Sequence, residues 1–215
     1  MSPYHSPAQR AVTPQRQGAF AGFDALSQVD KWDDATAGVV LERLSPTTML
    51  AFFTSVEVSV ARPLLDLLLA QDGEPRVPVL ELIDTRLARG ETDGWHYDDL
   101  PEDAEAWRQT LAWLNADAEG AHDMPFARVD IEGQRALIQA VQDLAHDGKR
   151  WHDYPGSRVW SLWTRYACTA FYSHPWAWNE MGFGGPAYPR GYLNLGVGKL
   201  EHWEVKDRGE VRGHG

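Results

Sequence analysis

The sequence predicts an all-α protein, an irregular helical domain of about five to seven helices. Three observations carry that expectation. Apolar residues return every three or four positions through most of residues 34–172. The strict apolar–polar alternation of a half-buried strand is nearly absent. Helix-starting and helix-stopping residues sit at the ends of the periodic stretches. A chain of 215 residues suits one domain with tails and can bury a core without disulfide or metal staples.

The elements follow in order. Residues 34–44 carry Val39, Val40 and Leu44 and should stop before Pro46. Thr54-Ser55-Val56-Glu57 has the form of a capping box, with Phe53 placed to staple onto Val58. The helix it opens should run to about Ala70 through Leu64, Leu65, Leu67, Leu68 and Leu69, with Pro63 kinking or dividing it. Pro78 suits the first position of the next helix, Leu80, Ile83 and Leu87 share its face, and Gly90 closes it. Pro101 introduces another, where Glu102, Asp103 and Glu105 favour the positive end of the dipole. Trp107, Leu111 and Leu114 form its apolar stripe. Asp130 is the expected cap of a helix carrying Ile131, Leu137, Ile138, Val141 and Leu144. Ser157 is the expected cap of one reaching about Tyr172, with Trp160, Trp163, Ala167 and Phe171 inward. His174-Pro175 should end it, because the residue before proline avoids helical geometry.

The expected division is a flexible N-terminal arm at 1–30, a helical body at 31–173, an aromatic Gly/Pro-rich segment at 174–205 and a polar tail at 206–215. The arm is polar, rich in Pro and Gln, and shows neither the apolar core of a signal peptide nor an Arg-Arg pair. A cytoplasmic location is therefore expected. Residues 174–196 hold five Gly and three Pro beside Trp176, Trp178, Phe183, Tyr188 and Tyr192. That composition excludes a long helix, and it is too aromatic for a solvated linker. An ordered irregular segment, laid over the helices or over a partner, is what remains.

Charge has the same uneven distribution. The chain carries 20 basic and 31 acidic residues, a net −11. Residues 31–150 hold 11 of the basic and 23 of the acidic groups, whereas residues 151–198 hold three and two. Six of the ten tryptophans fall within 151–203, where charge is balanced. The acidic excess argues against nucleic acid or an anionic membrane surface as the main partner. No run of 18 apolar residues exists to span a bilayer. A single cysteine excludes an intramolecular disulfide and multi-cysteine metal sites.

Chemistry-bearing patterns are few. Gly182-Phe183-Gly184-Gly185-Pro186-Ala187 matches G-x-G-x-x-A in form, but no strand precedes it and Pro186 and Pro189 obstruct a following helix. Tight turns that only glycine fits are the better reading. His152, His174 and Glu180 could ligate a metal, yet lack helical ligand spacing. His174 reads as a cap on the helix before it. Cys168 reads as a small buried apolar residue rather than a reactive thiolate. Paired acids such as Asp98/Asp99 and Glu102/Asp103 read as a solvated face. No catalytic constellation emerges. Trp176, Trp178, Phe183, Tyr188, Arg190 and Tyr192 fit either internal packing or an interface, where Trp, Tyr and Arg are favoured anchors.

Phe171-Tyr172-Ser173-His174-Pro175-Trp176-Ala177-Trp178-Asn179-Glu180 and Gly182 through Tyr192 together resemble the C-terminal signature of the gluconate 2-dehydrogenase subunit 3 family. Phe52-Phe53-Thr54-x-x-Glu57, and Glu74 through Pro78 leading into Leu82-Ile83-Asp84, resemble its N-terminal motifs. The similarity spans roughly residues 32–205. It implies a small, non-catalytic helical subunit of flavin-dependent sugar and polyol dehydrogenases. The implied partner is a large glucose–methanol–choline type oxidoreductase that holds FAD, so no cofactor is expected in this chain. The small subunit is implied to help the large one fold, stay soluble and, in many members, be exported. Trp176, Trp178, Asn179, Phe183, Tyr188, Arg190 and Tyr192 are the residues expected to bind it. Many members carry a twin-arginine signal and this chain shows none, so export would depend on a signal in the partner, giving a periplasmic complex. The alternative is a stand-alone metal- or small-molecule-binding helical protein using His152, His174 and Glu180.

Overall fold

The computed structural model describes residues 12–20, 22–45, 49–94, 97–194 and 196–205. Among them are seven α-helices: α1 (Asp34–Glu42), α2 (Ser55–Leu68), α3 (Val79–Ala88), α4 (Asp103–His122), α5 (Ile131–His146), α6 (Gly156–Ser173) and α7 (Pro175–Met181). Short 3-10 helices cover Pro14–Arg16, Ala25–Lys31 and Phe126–Arg128. The described strands are β1 (Arg150–Trp151) and β2 (Tyr154–Pro155), an antiparallel pair joined by a two-residue turn. The all-α expectation holds. Contacts divide the chain into two compact units. A terminal unit takes residues 1–45, 73–77 and 172–215, and a helical unit takes 46–72 and 78–171. Thus α1, expected in the helical body, belongs with the chain ends.

In the helical unit, α2 packs on α3, α4 and α5. Trp107 of α4 is fully buried at its centre. The rings of Phe53 and Tyr166 meet it edge-on, with centroids 6.0 and 5.8 Å away. Trp163 of α6 is also fully buried, and its indole N–H donates to Thr110 Oγ1 at 3.1 Å. Three hydrophilic groups set the frame. Asp84 of α3 is buried, and its carboxylate accepts the backbone amides of Ala51, Phe52 and Phe53 at 2.7, 3.0 and 2.8 Å. That brings the entry to α2 into register and places Phe53 in the core. Thr54 then caps α2 in a complete capping box with Glu57. Arg108 of α4 ties the same corner to the centre, donating to both Glu57 oxygens at 2.8 Å and to the Phe52 carbonyl at 2.9 Å.

Several sequence expectations shift by known physics. Pro63 does not divide α2, which runs through it. The carbonyl it leaves without an amide belongs to Ser59, which is exposed to water. Pro78 stands just before the first turn of α3 rather than in it. Gly90 closes α3 as expected: Glu91 N–H returns to Arg86 O and Gly90 N–H to Leu87 O, the Schellman pairing. Ser157 lies inside α6 instead of capping it, because the hairpin delivers the chain directly into the helix at Gly156. Cys168 is exposed, correcting its reading as a buried apolar residue. Pro46 and the tail at 206–215 lie outside the described residues, as do residues 1–11 of the arm.

The described part of the arm is tied down. Gln15 N–H donates to Pro75 O at 2.7 Å, and Gly73 N–H donates to Gln15 Oε1 at 3.1 Å. Ala25 is fully buried with Trp32, Val40 and Trp178, and Phe23, Leu26 and Val29 pack around them. These contacts hold the described residues around Gln15 and Ala25.

Two stability outcomes follow from the Asp84 corner. Asp84→Ala should destabilise the protein by about 3 kcal/mol, since three charge-assisted bonds are lost and buried amides are orphaned. Thr54→Ala should cost about 1 kcal/mol, with Thr54→Ser nearly neutral. Urea denaturation measures both. Equal stability of Asp84→Ala and wild type would show that the corner carries no weight.

Candidate partner-docking surface

The surface is built outward from α7. His174 breaks α6 and at once begins α7, with Pro175 in the first helical position. Its Nδ1 accepts the Trp176 amide at 3.2 Å. The sequence reading had His174 serving the helix behind it; it serves the one ahead. The reason is that proline forbids continuing a helix but favours starting one. Continuous with this, the segment expected to be irregular from 174 onward begins with a helix of two turns.

Of the seven residues expected to bind a partner, two are turned inward. Trp178 is buried, and its indole N–H donates to Tyr172 O at 2.7 Å. Asn179 is buried, accepts the Ala25 amide at 2.7 Å and donates to Val12 O at 2.8 Å. Arg190 is half-buried and staples the segment to itself. It donates to Gly184 O at 2.8 Å and Gln28 Oε1 at 3.3 Å, and its guanidinium lies 4.1 Å from the Trp203 ring centroid. Trp176 is half-buried, edge-on to His174. Phe183, Tyr188 and Tyr192 are exposed at 44%, 67% and 52%. Internal packing thus accounts for some side chains of the aromatic cluster, while others stand in water.

The G-x-G-x-x-A pattern has a packing cause. Gly185 has φ +76°, and a Cβ there would come within 2.4 Å of the Trp32 ring. Trp32 in turn donates its indole N–H to Pro186 O at 2.9 Å. Gly182 ends α7 in the left-handed region at φ +75°, where a Cβ would meet Val205 and Phe20. The glycines let aromatic rings lie on the backbone, and no phosphate-binding turn is formed from strand to helix.

Sequence reasoning missed the strand of chain just beyond. Leu193, Val197 and Leu200 are exposed, and Glu201 behind them is buried. From Met181 to Leu200 the chain has no acidic residue. Apolar residues set among glycines in an acid-free run were the available signal.

The metal-ligand candidates are differently employed. His152 sits in the hairpin turn, stacked on Trp113 at 5.0 Å, with Nε2 2.8 Å from Asp117 Oδ1. Trp151 donates to the other Asp117 oxygen at 2.9 Å. His174 is buried in its capping role, and burial pushes the Glu180 carboxyl above the usual carboxylate range. Among the described residues no group of three or more His, Cys, Asp or Glu side chains could hold a metal ion. An open cleft of about 240 Å³ between α2 and α4 is lined by Val56, Val60, Leu111 and the Glu57–Arg108 pair, whose charges neutralise each other.

Burial pushes the His174 imidazole down to about 4, despite the neighbouring Arg43 backbone favouring the charged form. The unfolded histidine titrates near its ordinary value, so below that pH the unfolded state binds the extra proton first. Stability linked to His174 is therefore full above about pH 6.5, is lost as pH falls toward 4, and levels off below, a change on the order of 3 kcal/mol. His174→Asn keeps a capping acceptor without titrating. It should flatten the stability–pH profile between pH 6.5 and 4, read by urea denaturation at each pH. An unchanged slope would remove His174 as the source.

Comparisons with known proteins bear on this geometry. No curated protein and no solved structure matches the chain. A family model described as gluconate 2-dehydrogenase subunit 3 matches residues 55–185, from the first turn of α2 to the glycine that Trp32 overlies. The match takes in more than half of the sequence, and the chain belongs to the gluconate 2-dehydrogenase subunit 3 family.

Proposed function

We propose that this chain is the non-catalytic small subunit that binds and stabilises an FAD-dependent sugar or polyol oxidoreductase of the glucose–methanol–choline type. FAD belongs to the large partner in this reading, and the chain itself contributes folding assistance and solubility. One observation carries it beyond the family relationship. Phe183, Tyr188 and Tyr192 stand in water on a segment whose backbone is held by Trp32 and Arg190. Exposed aromatics on a fixed, acid-free backbone are what a protein interface needs, because the anchors reach the partner with little entropy left to lose. The acidic remainder of the chain keeps the free subunit soluble. A cytoplasmic complex is the accompanying proposal, with export conditional on a signal in the large subunit.

The test is co-expression with a large glucose–methanol–choline type flavoprotein from the same source. The pair should co-purify, and the large subunit expressed alone should be poorly soluble and low in flavin. A soluble, flavin-loaded large subunit that elutes apart from this chain would end the proposal. The side chains separate further. Tyr188→Ala should weaken binding by on the order of 2 kcal/mol at an unchanged melting temperature. Trp178→Ala should instead destabilise this chain by about 3–5 kcal/mol through loss of a buried indole.

A further inference from the structure

The junction between α6 and α7 is built around a ring that has to be neutral. His174 is fully buried there. Its Nδ1 accepts the Trp176 amide at 3.2 Å, which requires a lone pair on that nitrogen and leaves the ring proton on Nε2. Trp176 lies edge-on to the imidazole, with ring centroids 4.8 Å apart. Arg43, at the end of α1, reaches the same junction, where its guanidinium donates to Ser173 O at 2.8 Å.

An imidazolium ion cannot keep this arrangement. It has no acceptor for the Trp176 amide, and it stands at the positive end of the α7 dipole. Burial opposes the charge first, and the Arg43 guanidinium adds a second cation beside it, together outweighing the favourable Arg43 backbone. Among the described residues no carboxylate answers that charge. Glu42 acts on Arg43 rather than on the ring, and Glu180 of α7 is itself held toward its neutral form by burial.

The load on α7 makes the junction consequential. Asn179 of α7 accepts the Ala25 amide and donates to Val12 O. Trp178 packs with Ala25, Trp32 and Val40. Phe183 follows the last turn, its N–H returning to Trp178 O at 2.9 Å and its ring edge-on to Trp178 at 5.5 Å. A helix of seven residues holds these groups only while its first turn is fastened.

We propose that His174 is an acid-operated latch on the terminal unit: a proton on Nδ1 unfastens the first turn of α7, frees the Asn179 bonds to Ala25 and Val12, and releases Phe183 from its platform, while the helical unit stays folded. The latch belongs to this chain alone. Its use, a docking segment presented at neutral pH and withdrawn in mild acid, rests on the partner reading given above.

Hydrogen exchange of the intact, isolated chain, followed by mass spectrometry and corrected for intrinsic exchange rates, reads the latch between pH 7 and pH 4.5. Peptides within 22–32 and 175–185 should lose protection at least about tenfold more than peptides of α4, because the released ring takes its proton near 6.5 and the latched ring only at about 4. His174→Asn, which caps without titrating, should remove that excess. Arg43→Gln should lower protection at pH 7, through loss of the bond to Ser173, and should shrink the excess, since one of the two cations is gone. Protection lost equally in α4 and α7 overturns the latch, because the acid effect is then global. So does an excess that His174→Asn leaves intact or, where that variant does not fold, one that Arg43→Gln leaves unchanged. The measurement uses no partner, so these results leave the partner reading standing. A large subunit that fails to bind this chain at neutral pH would remove the docking use and leave the latch in place.

Discussion

The side-chain amide of Asn179 is the constraint on which the terminal unit depends. It reaches two points of backbone 154 and 167 residues earlier, taking an N–H from Ala25 and giving one to the carbonyl of Val12. The Ala25 bond is buried and the Val12 bond partly so, and losing either leaves the buried Asn179 amide short of a partner. A two-turn helix such as α7 has little stability of its own. Joined to residues 12–32 it becomes a platform: Trp178 packs with Ala25, Trp32 and Val40, and Trp32 then holds the backbone at Pro186. The exposed aromatics further along inherit their positions from that chain of contacts.

The helical unit solves a different problem. Large rings fill the space between its helices: Trp107, Trp163, Tyr166 and Phe126 are all nearly inaccessible to water. Several polar groups enter that interior with partners. Asp84 has three amides, Thr110 hydroxyl takes the Trp163 indole N–H, and Asp103 takes the Tyr166 hydroxyl at 2.7 Å. Each of these fixes a register that apolar packing alone leaves free.

Much of the helix pattern was readable in advance because its causes are local. The Thr54–Glu57 capping box, the Asp130 cap, the Schellman close at Gly90 and the Trp107–Leu111–Leu114 stripe each depend on residues within one or two turns of one another. The direction in which His174 acts follows from Pro175, which cannot continue α6 but suits the first position of α7, a local signal that the capping expectation overlooked. The burial of Asn179 and Trp178 could not be seen beside the exposure of Tyr188 and Tyr192. All four belong to one aromatic, glycine-rich stretch, and what separates them is contact with residues 12–32, far away in the chain.

By itself the sequence determined a helical chain with an acid-rich body, no evident catalytic constellation, and the motifs of a known dehydrogenase subunit family. Those properties reside in composition, in short-range periodicity and in side chains whose chemistry is independent of context. Tertiary structure decided which aromatic residues hold the fold and which face water, why Gly182 and Gly185 must be glycine, and that Glu201 is buried while Leu193, Val197 and Leu200 are exposed. Burial is a relation between distant residues. Trp32 over Gly185, or Asn179 against Ala25, exists only once the chain has closed on itself.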